Sequence, residues 1–307
     1  MTRVFVDGSA GTTGLRIRER LTARTDVTVT VLPEELRKDE GARKEALRAA
    51  DIAFLCLPDA AAVEAAAWAG DTVVIDTSTA HRCADGWVYG MPELTGRREQ
   101  IRKAQRIANP GCHASGMIAL VSPLTEAGLI AKDTALTCFS LTGYTGGGKK
   151  MIEEYEGEGR NSLLDAPRMY GIGKVHKHLP EMIMQCALET APAFCPVVGD
   201  FPVGMEVVVP LAKGMARGTA EEIREVYRAK YAEGVIRYRE QADEAGFLSA
   251  GKLANTDSME VSVYADESKI LLVSRFDNLG KGASGAALQN MNIRIGAKET
   301  EGLVLAE

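Results

Sequence analysis

The chain has 307 residues, 46% hydrophobic and 25% charged, with a formal net charge of −6. Those proportions exclude a disordered chain and leave room for two domains. The acidic balance argues against nucleic acid as a partner; no apolar run is long enough to span a membrane or precedes Asp7 as a leader, so the expected setting is the cytoplasm.

Residues 3–7 read as a short strand ending at Gly8. Gly8-Ser9-Ala10-Gly11-Thr12-Thr13-Gly14 then leads into a helix from Leu15. A second strand is expected over 27–32, a charged amphipathic helix over 37–50, an apolar strand over 52–57, an alanine-rich helix over 60–68 and a strand over 72–76. Apolar strands alternating with helices imply a parallel sheet covered on both faces, a Rossmann-like doubly wound α/β fold. Glycines in the first turn permit a tight bend and let backbone N–H groups approach a pyrophosphate, so this G-x-x-G-x-x-G turn points to a dinucleotide. After the second strand, Glu34 or Glu35 suits a ribose 2′-hydroxyl and NAD, whereas Arg37 and Lys38 suit a 2′-phosphate and NADP. Solvated charges at a helix start explain all four equally well.

Ligands of parallel sheets lie beyond the carboxyl ends of the strands, so the polar run from Asp76 to Arg82, with Ser78 in it, should face the cofactor. A short strand over 106–108 ends at the same side. It is followed by Asn109-Pro110-Gly111-Cys112 and an apolar helix. Cys112 would stand in that helix's first turn, where unpaired N–H groups and the dipole favour a thiolate. The other reading is a small apolar filler. Six cysteines without C-x-x-C spacing read as reduced thiols, with no disulfide framework and no metal site. Farther on, strands are expected over 134–141, 205–211, 258–264 and 269–276, with Gly146-Gly147-Gly148 flexible and a helix over 220–231. Clustered strands suggest a second, α+β domain on a mainly antiparallel sheet. A last helix within 283–295 is stopped by Gly296.

The glycine turn, Tyr89-Gly90-Met91-Pro92-Glu93 and Asn109-Pro110-Gly111-Cys112 together resemble the N-acetyl-gamma-glutamyl-phosphate reductase family. That family is related to the aspartate-semialdehyde and glyceraldehyde-3-phosphate dehydrogenases. The resemblance continues through 142–150, His176-Lys177-His178-Leu179-Pro180-Glu181, 278–285 and Gln289-Asn290-Met291-Asn292, and its form is that of the short (type 2) branch. It implies NADPH-dependent reduction of an acyl phosphate to a semialdehyde and inorganic phosphate through a thioester on Cys112, in arginine biosynthesis, by a homodimer or homotetramer. It further implies that Gly282 and Ser284 reach the cofactor. Domains are then expected at 1–111 plus 280–307 for the dinucleotide and 112–279 for catalysis and oligomerisation.

Arg82, Lys149, Lys150 and Lys281 suit a substrate phosphate or carboxylate, or are solvated charges. Asn109 and Ser115 either orient reacting groups or serve turns and caps. Of the four histidines, His176 and His178 would share one side of an extended segment, with His178 as acid–base and His176 its alternate, one of the two binding substrate carboxylate. His113 follows the thiol directly and is expected to point elsewhere, and His81 to be structural. The alternatives are a reductase of aspartyl or carrier-bound aminoadipyl phosphate, and a nucleotide-binding protein without chemistry.

Overall fold

The computed structural model describes residues 1–306, which divide into two compact units. The first comprises Met1–Gly111 and Ala283–Leu303, the second Cys112–Gly282 and the residues from Val304. The later break therefore falls at Ala283, three residues beyond the expected 280. The tail groups with the second unit because Val304 and Asp257 exchange hydrogen bonds and Ala306 N–H donates to Ser258.

The first unit runs β1 (Thr2–Asp7), α1 (Thr12–Thr22), β2 (Val27–Thr30), α2 (Glu40–Ala49), β3 (Ile52–Leu55), α3 (Asp59–Trp68), β4 (Val73–Asp76), β5 (Val88–Tyr89), α4 (Arg97–Lys103) and β6 (Arg106–Ala108). The chain's last helix, α9 (Gly285–Ile295), completes it. All strand pairs are parallel, in the order β2-β1-β3-β4-β6-β5. Side chains alternate across a strand, and the sheet accordingly has a core on each side. Val4, Val6, Phe54 and Ile75 pack with Ile17, Ile101, Leu288 and Met291 on one face. Phe5, Ala53, Leu55 and Val74 pack with Leu47 and Ala65 on the other. Helix α2 starts at Glu40 and not at 37, because the Asp39 carboxylate accepts Ala42 N–H at 2.7 Å as an N-cap. Arg37 and Lys38 lie in the turn before it.

The second unit contains α5 (Cys112–Glu126), β7 (Thr137–Gly143), α6 (Gly148–Glu156), β8 (Arg168–Met169), α7 (Leu179–Gln185), β9 (Ala193–Gly199), β10 (Met205–Ala212), α8 (Ala220–Lys230), β11 (Ile236–Tyr238), β12 (Met259–Ala265) and β13 (Lys269–Phe276). Its sheet has the order β11-β12-β13-β10-β7-β9-β8. Only β7–β9 and β11–β12 pair in parallel. The glycines at 146–148 are not a loose segment: a 3₁₀ turn over Tyr144–Gly147 runs straight into α6.

Helix α5 packs against β10 and β13 and against α7 and α8, and every residue from His113 to Leu124 is buried. Pro123 lies inside it and supplies no N–H to the Ala119 carbonyl one turn earlier. The Tyr231 hydroxyl donates to that carbonyl at 2.8 Å, and Tyr227 on α8 donates to Leu120 O at 2.5 Å. Two buried carbonyls thus find partners, and α5 is pinned along its length. Close approach to the sheet is possible because residue 116 is glycine. A Cβ there would lie 2.5 Å from Val207 Cγ2 and 2.9 Å from the Phe276 ring. Gly116→Ala is accordingly expected to lower unfolding stability by about 1–3 kcal/mol through overpacking, read from the urea midpoint.

Candidate active site

In the first unit the chain leaves β1 through Gly8, whose φ is +82° and at which any Cβ would overlap the Cys56 carbonyl. Gly11 N–H donates to Gly8 O at 3.0 Å, and Gly11 caps α1, so Thr12, Thr13 and Gly14 form its first turn. A Cβ at Gly14 would overlap Gly8 O. Glycine is therefore required at both ends of the turn by the backbone itself. Gly8, Ser9, Ala10 and Gly11 line a cleft of about 280 Å³ together with Leu32, Arg37, Lys38 and Leu57. That cradle of backbone at a helix start, with two cations at its rim, fits a dinucleotide's pyrophosphate and ribose. Arg37 pairs with Glu34 at 2.6 Å, both exposed. Beneath the turn, burial pushes the Cys56 thiol up to about 12, so this cysteine stays neutral.

Beyond β4, Ser78 gives its hydroxyl to Asp76 at 2.6 Å and its N–H to the same carboxylate at 2.9 Å. His81 Nδ1 lies 2.6 Å from Asp76, and its ring stacks on Trp87. Arg82 is buried and donates to the carbonyls of Asn109 at 3.0 Å and Thr77 at 3.1 Å. The Asn109 amide donates to Ala283 O at 3.0 Å, and its oxygen accepts from Asn290, which also donates to Gly90 O. Asn109 and Arg82 thus fix one another and the end of β6. Asn290 carries no role in the sequence reading, although it stands in one of the motifs named there. Ser284 is buried at the start of α9.

In the second unit Cys112 is the first residue of α5 and half-buried. A Cβ on Gly282 would lie 2.9 Å from Cys112 Cβ, so the turn Gly280–Ser284 rests on the cysteine and leaves no room for a side chain. Lys281 of the same turn is buried. Lys149 and Lys150 are exposed in the first turn of α6. His176 and His178 do not share an extended segment. His178 has helical backbone angles at the N-cap of α7, and its N–H donates to His176 Nδ1 at 3.2 Å. This tight turn still brings the rings edge to face, with centroids 4.8 Å apart.

His113 joins them. Its ring centroid is 5.5 Å from those of both His176 and His178, and Phe194 closes the cluster at 5.4 Å. Ser140 Oγ lies 2.7 Å from its Nδ1 and the Tyr170 hydroxyl 2.6 Å from its Nε2. Burial, reinforced by the charges of His176 and Lys177, pushes His113 down to about 3. It is therefore a neutral imidazole, while His176 is half-buried at the cluster's edge. Among the described residues no three of His, Cys, Asp or Glu converge as metal ligands, and no helix is long and apolar enough to cross a membrane.

Residues 8–104 match the family model of the semialdehyde dehydrogenase NAD-binding domain, and residues 112–278 that of its dimerisation domain. The chain is similar to the N-acetyl-gamma-glutamyl-phosphate reductase of Brucella suis, 43% identical over 96% of this chain and 99% of that protein. It is likewise 44% identical to that of Brucella anthropi, over 96% and 98%. Among solved structures it shares its fold with aspartate semialdehyde dehydrogenase II of Vibrio cholerae, complexed with ASA, at a TM-score of 0.72 and 18% identity over 96% and 98%. It shares it also with aspartate semialdehyde dehydrogenase with NADP from Candida albicans, at 0.65 and 16% over 95% and 98%.

A histidine near 3 in the native state and about 6.5 when unfolded leaves the unfolded chain binding one more proton between those values. Stability must then rise with pH across that window and fall as pH drops through about 6.5, by at most ~1.4 kcal/mol per unit. Urea unfolding at about pH 7 and about pH 5 should show a larger acid loss in the wild type than in His113→Asn.

Proposed function

Because the chain belongs to the semialdehyde dehydrogenases, and among them to the N-acetyl-gamma-glutamyl-phosphate reductases, we propose that it reduces N-acetyl-gamma-glutamyl phosphate to N-acetylglutamate semialdehyde and phosphate, as a step of arginine biosynthesis. The observation that carries the chemistry is Cys112, which heads a buried helix and is hemmed by Gly282, beside a cluster of three imidazoles. The Cys112 thiolate attacks the acyl carbon. A C–S bond forms, the bond to the phosphate oxygen breaks, and phosphate leaves with the electron pair. NADPH, when bound, supplies the hydride that this thioester accepts. The C–S bond then breaks as the carbonyl re-forms, returning its pair to sulfur and releasing the aldehyde.

The start of α5 favours negative charge on the sulfur and on the tetrahedral oxygen through the positive end of its helix dipole. His178, fixed at the N-cap of α7, moves the proton, and His176, at the cluster's edge, holds the substrate carboxylate. Lys149 and Lys150, exposed at the start of α6, receive the substrate's phosphate or carboxylate. Arg82 and Asn109 hold the end of β6 in place, and Lys281, buried beside Gly282, is a further cation for the substrate's phosphate or carboxylate. Arg37 and Lys38 take the 2′-phosphate, which favours NADP(H) over NAD(H). The second unit, spanned by the dimerisation-domain match, supplies the interface of a homo-oligomer.

An assay of NADP+ reduction with phosphate tests the substrate. N-acetylglutamate semialdehyde should exceed aspartate semialdehyde in kcat/KM by about tenfold or more, and the reverse ranking transfers the site to the shorter acyl phosphate. Cys112→Ser should abolish turnover while leaving NADPH affinity, measured by fluorescence titration, unchanged. Substantial reductase activity in that variant removes the covalent route.

A further inference from the structure

A cleft that receives a dinucleotide has to tolerate the negative charge of its pyrophosphate. Helix α1 has no acidic residue in its first turn and no side chain capping it, so the positive end of its dipole is left to a ligand. Lys38 adds a cation to the lining, and Arg37 adds another that Glu34 offsets. Among the described residues one carboxylate lines the same cleft. It belongs to Asp7, the last residue of β1 and the neighbour of Gly8. A buried carboxylate in that position repels the anion that the glycine turn suits.

Arg43 of α2 offsets it. Its Nη2 donates to Asp7 Oδ2 at 2.9 Å, and its Nε donates to the two oxygens at 3.1 and 3.3 Å. The guanidinium also lies over the Trp68 ring at the end of α3, 5.1 Å from the centroid. The Arg43 and Asp7 side chains are only 12% and 4% exposed, so salt and solvent screen the pair little. Lys44, over the same ring, is engaged by Glu40. Arg43 does not itself line the cleft, and it acts there through Asp7. A buried ion pair gains little stability over apolar packing, so bracing β1 against α2 does not by itself account for the two charges.

We propose that Arg43 is a positioning residue for the cofactor, which cancels the charge of Asp7 and so sets the affinity of the cleft for a pyrophosphate. The inference rests on the reading of this cleft as the dinucleotide site. The pyrophosphate is common to NADPH and NADH, so the pair governs affinity for both, whereas Arg37 and Lys38 govern the choice between them.

The sign of two substitutions separates this role from a brace, with binding to the full-length enzyme followed by fluorescence titration at about pH 8. Asp7→Asn keeps the shape and an acceptor for Arg43 but leaves the cation uncancelled. It should tighten NADPH and NADH alike, by about three- to tenfold. Arg43→Met keeps the stem over Trp68 and leaves Asp7 uncompensated, and it should weaken both by about tenfold or more. The double variant carries neither charge and should bind within about threefold of the wild type. Thermal unfolding should show both single variants less stable, although their affinities move in opposite directions. A brace would make both bind more weakly and leave the double variant no better. Weaker or unchanged binding in Asp7→Asn, unchanged binding in Arg43→Met, or a double variant no tighter than Arg43→Met overturns the proposal. If Arg43→Met does not fold, the sign of Asp7→Asn decides alone. A wild type that binds neither cofactor is a different failure, of the cleft as dinucleotide site, and the role of Arg43 falls with it.

Discussion

A helix with twelve of its fifteen residues buried has no solvent face, so its position is dictated by what surrounds it. That condition on α5 governs the second unit. The sheet comes close because Gly116 has no side chain, and α8 reaches across to carbonyls near the helix's proline. What stands at the tip inherits this immobility. Cys112 cannot drift without moving α5, and Gly282 meets it from the other side at van der Waals range. The helix that fixes the thiol also fixes His113, whose neighbours come from β7 and from the single loop between β8 and α7. Placement of reacting groups by a packed element, and not by a loop, is what pre-organisation requires.

Many buried polar groups of the first unit find partners in one another and in the backbone. Asp76 gathers Ser78 and His81, while Arg82, Asn109 and Asn290 satisfy one another and three backbone carbonyls. These contacts run inward and brace the loops at the carboxyl ends of the strands. Residue types that suit ligand binding in a sequence here also brace the scaffold.

That contrast marks where the sequence was readable. Strands such as 52–55 and helices such as α1 follow from hydrophobic period, and the glycine turn follows from φ and close approach, all of them local properties. The short strands β5 and β8, the capped start of α2 and the ordered start of α6 depend on neighbours or caps and escaped it. For His176 and His178 a spacing of two suggests a shared side of a strand, whereas a turn at the N-cap of α7 brings the rings together. Adjacent helix residues diverge, which points His113 away from the thiol. That argument concerns direction only. The partners that give His113 its importance, Ser140 and Tyr170, lie 27 and 57 residues away, and no local pattern announces them.

The chain passes between its two units at three junctions, after Gly111, after Gly282 and after Leu303. Neither unit is therefore a single inherited segment. The stretch Ala283–Leu303 returns to the first unit, where Leu288, Met291 and Ile293 complete a core that residues 1–111 leave unfilled. A gene recombination with one breakpoint would strand that helix with the wrong partner and open the first core. The same stretch begins one residue beyond Gly282, the residue that must stay small beside Cys112. The two units are thus interleaved along the chain, and no single breakpoint separates them.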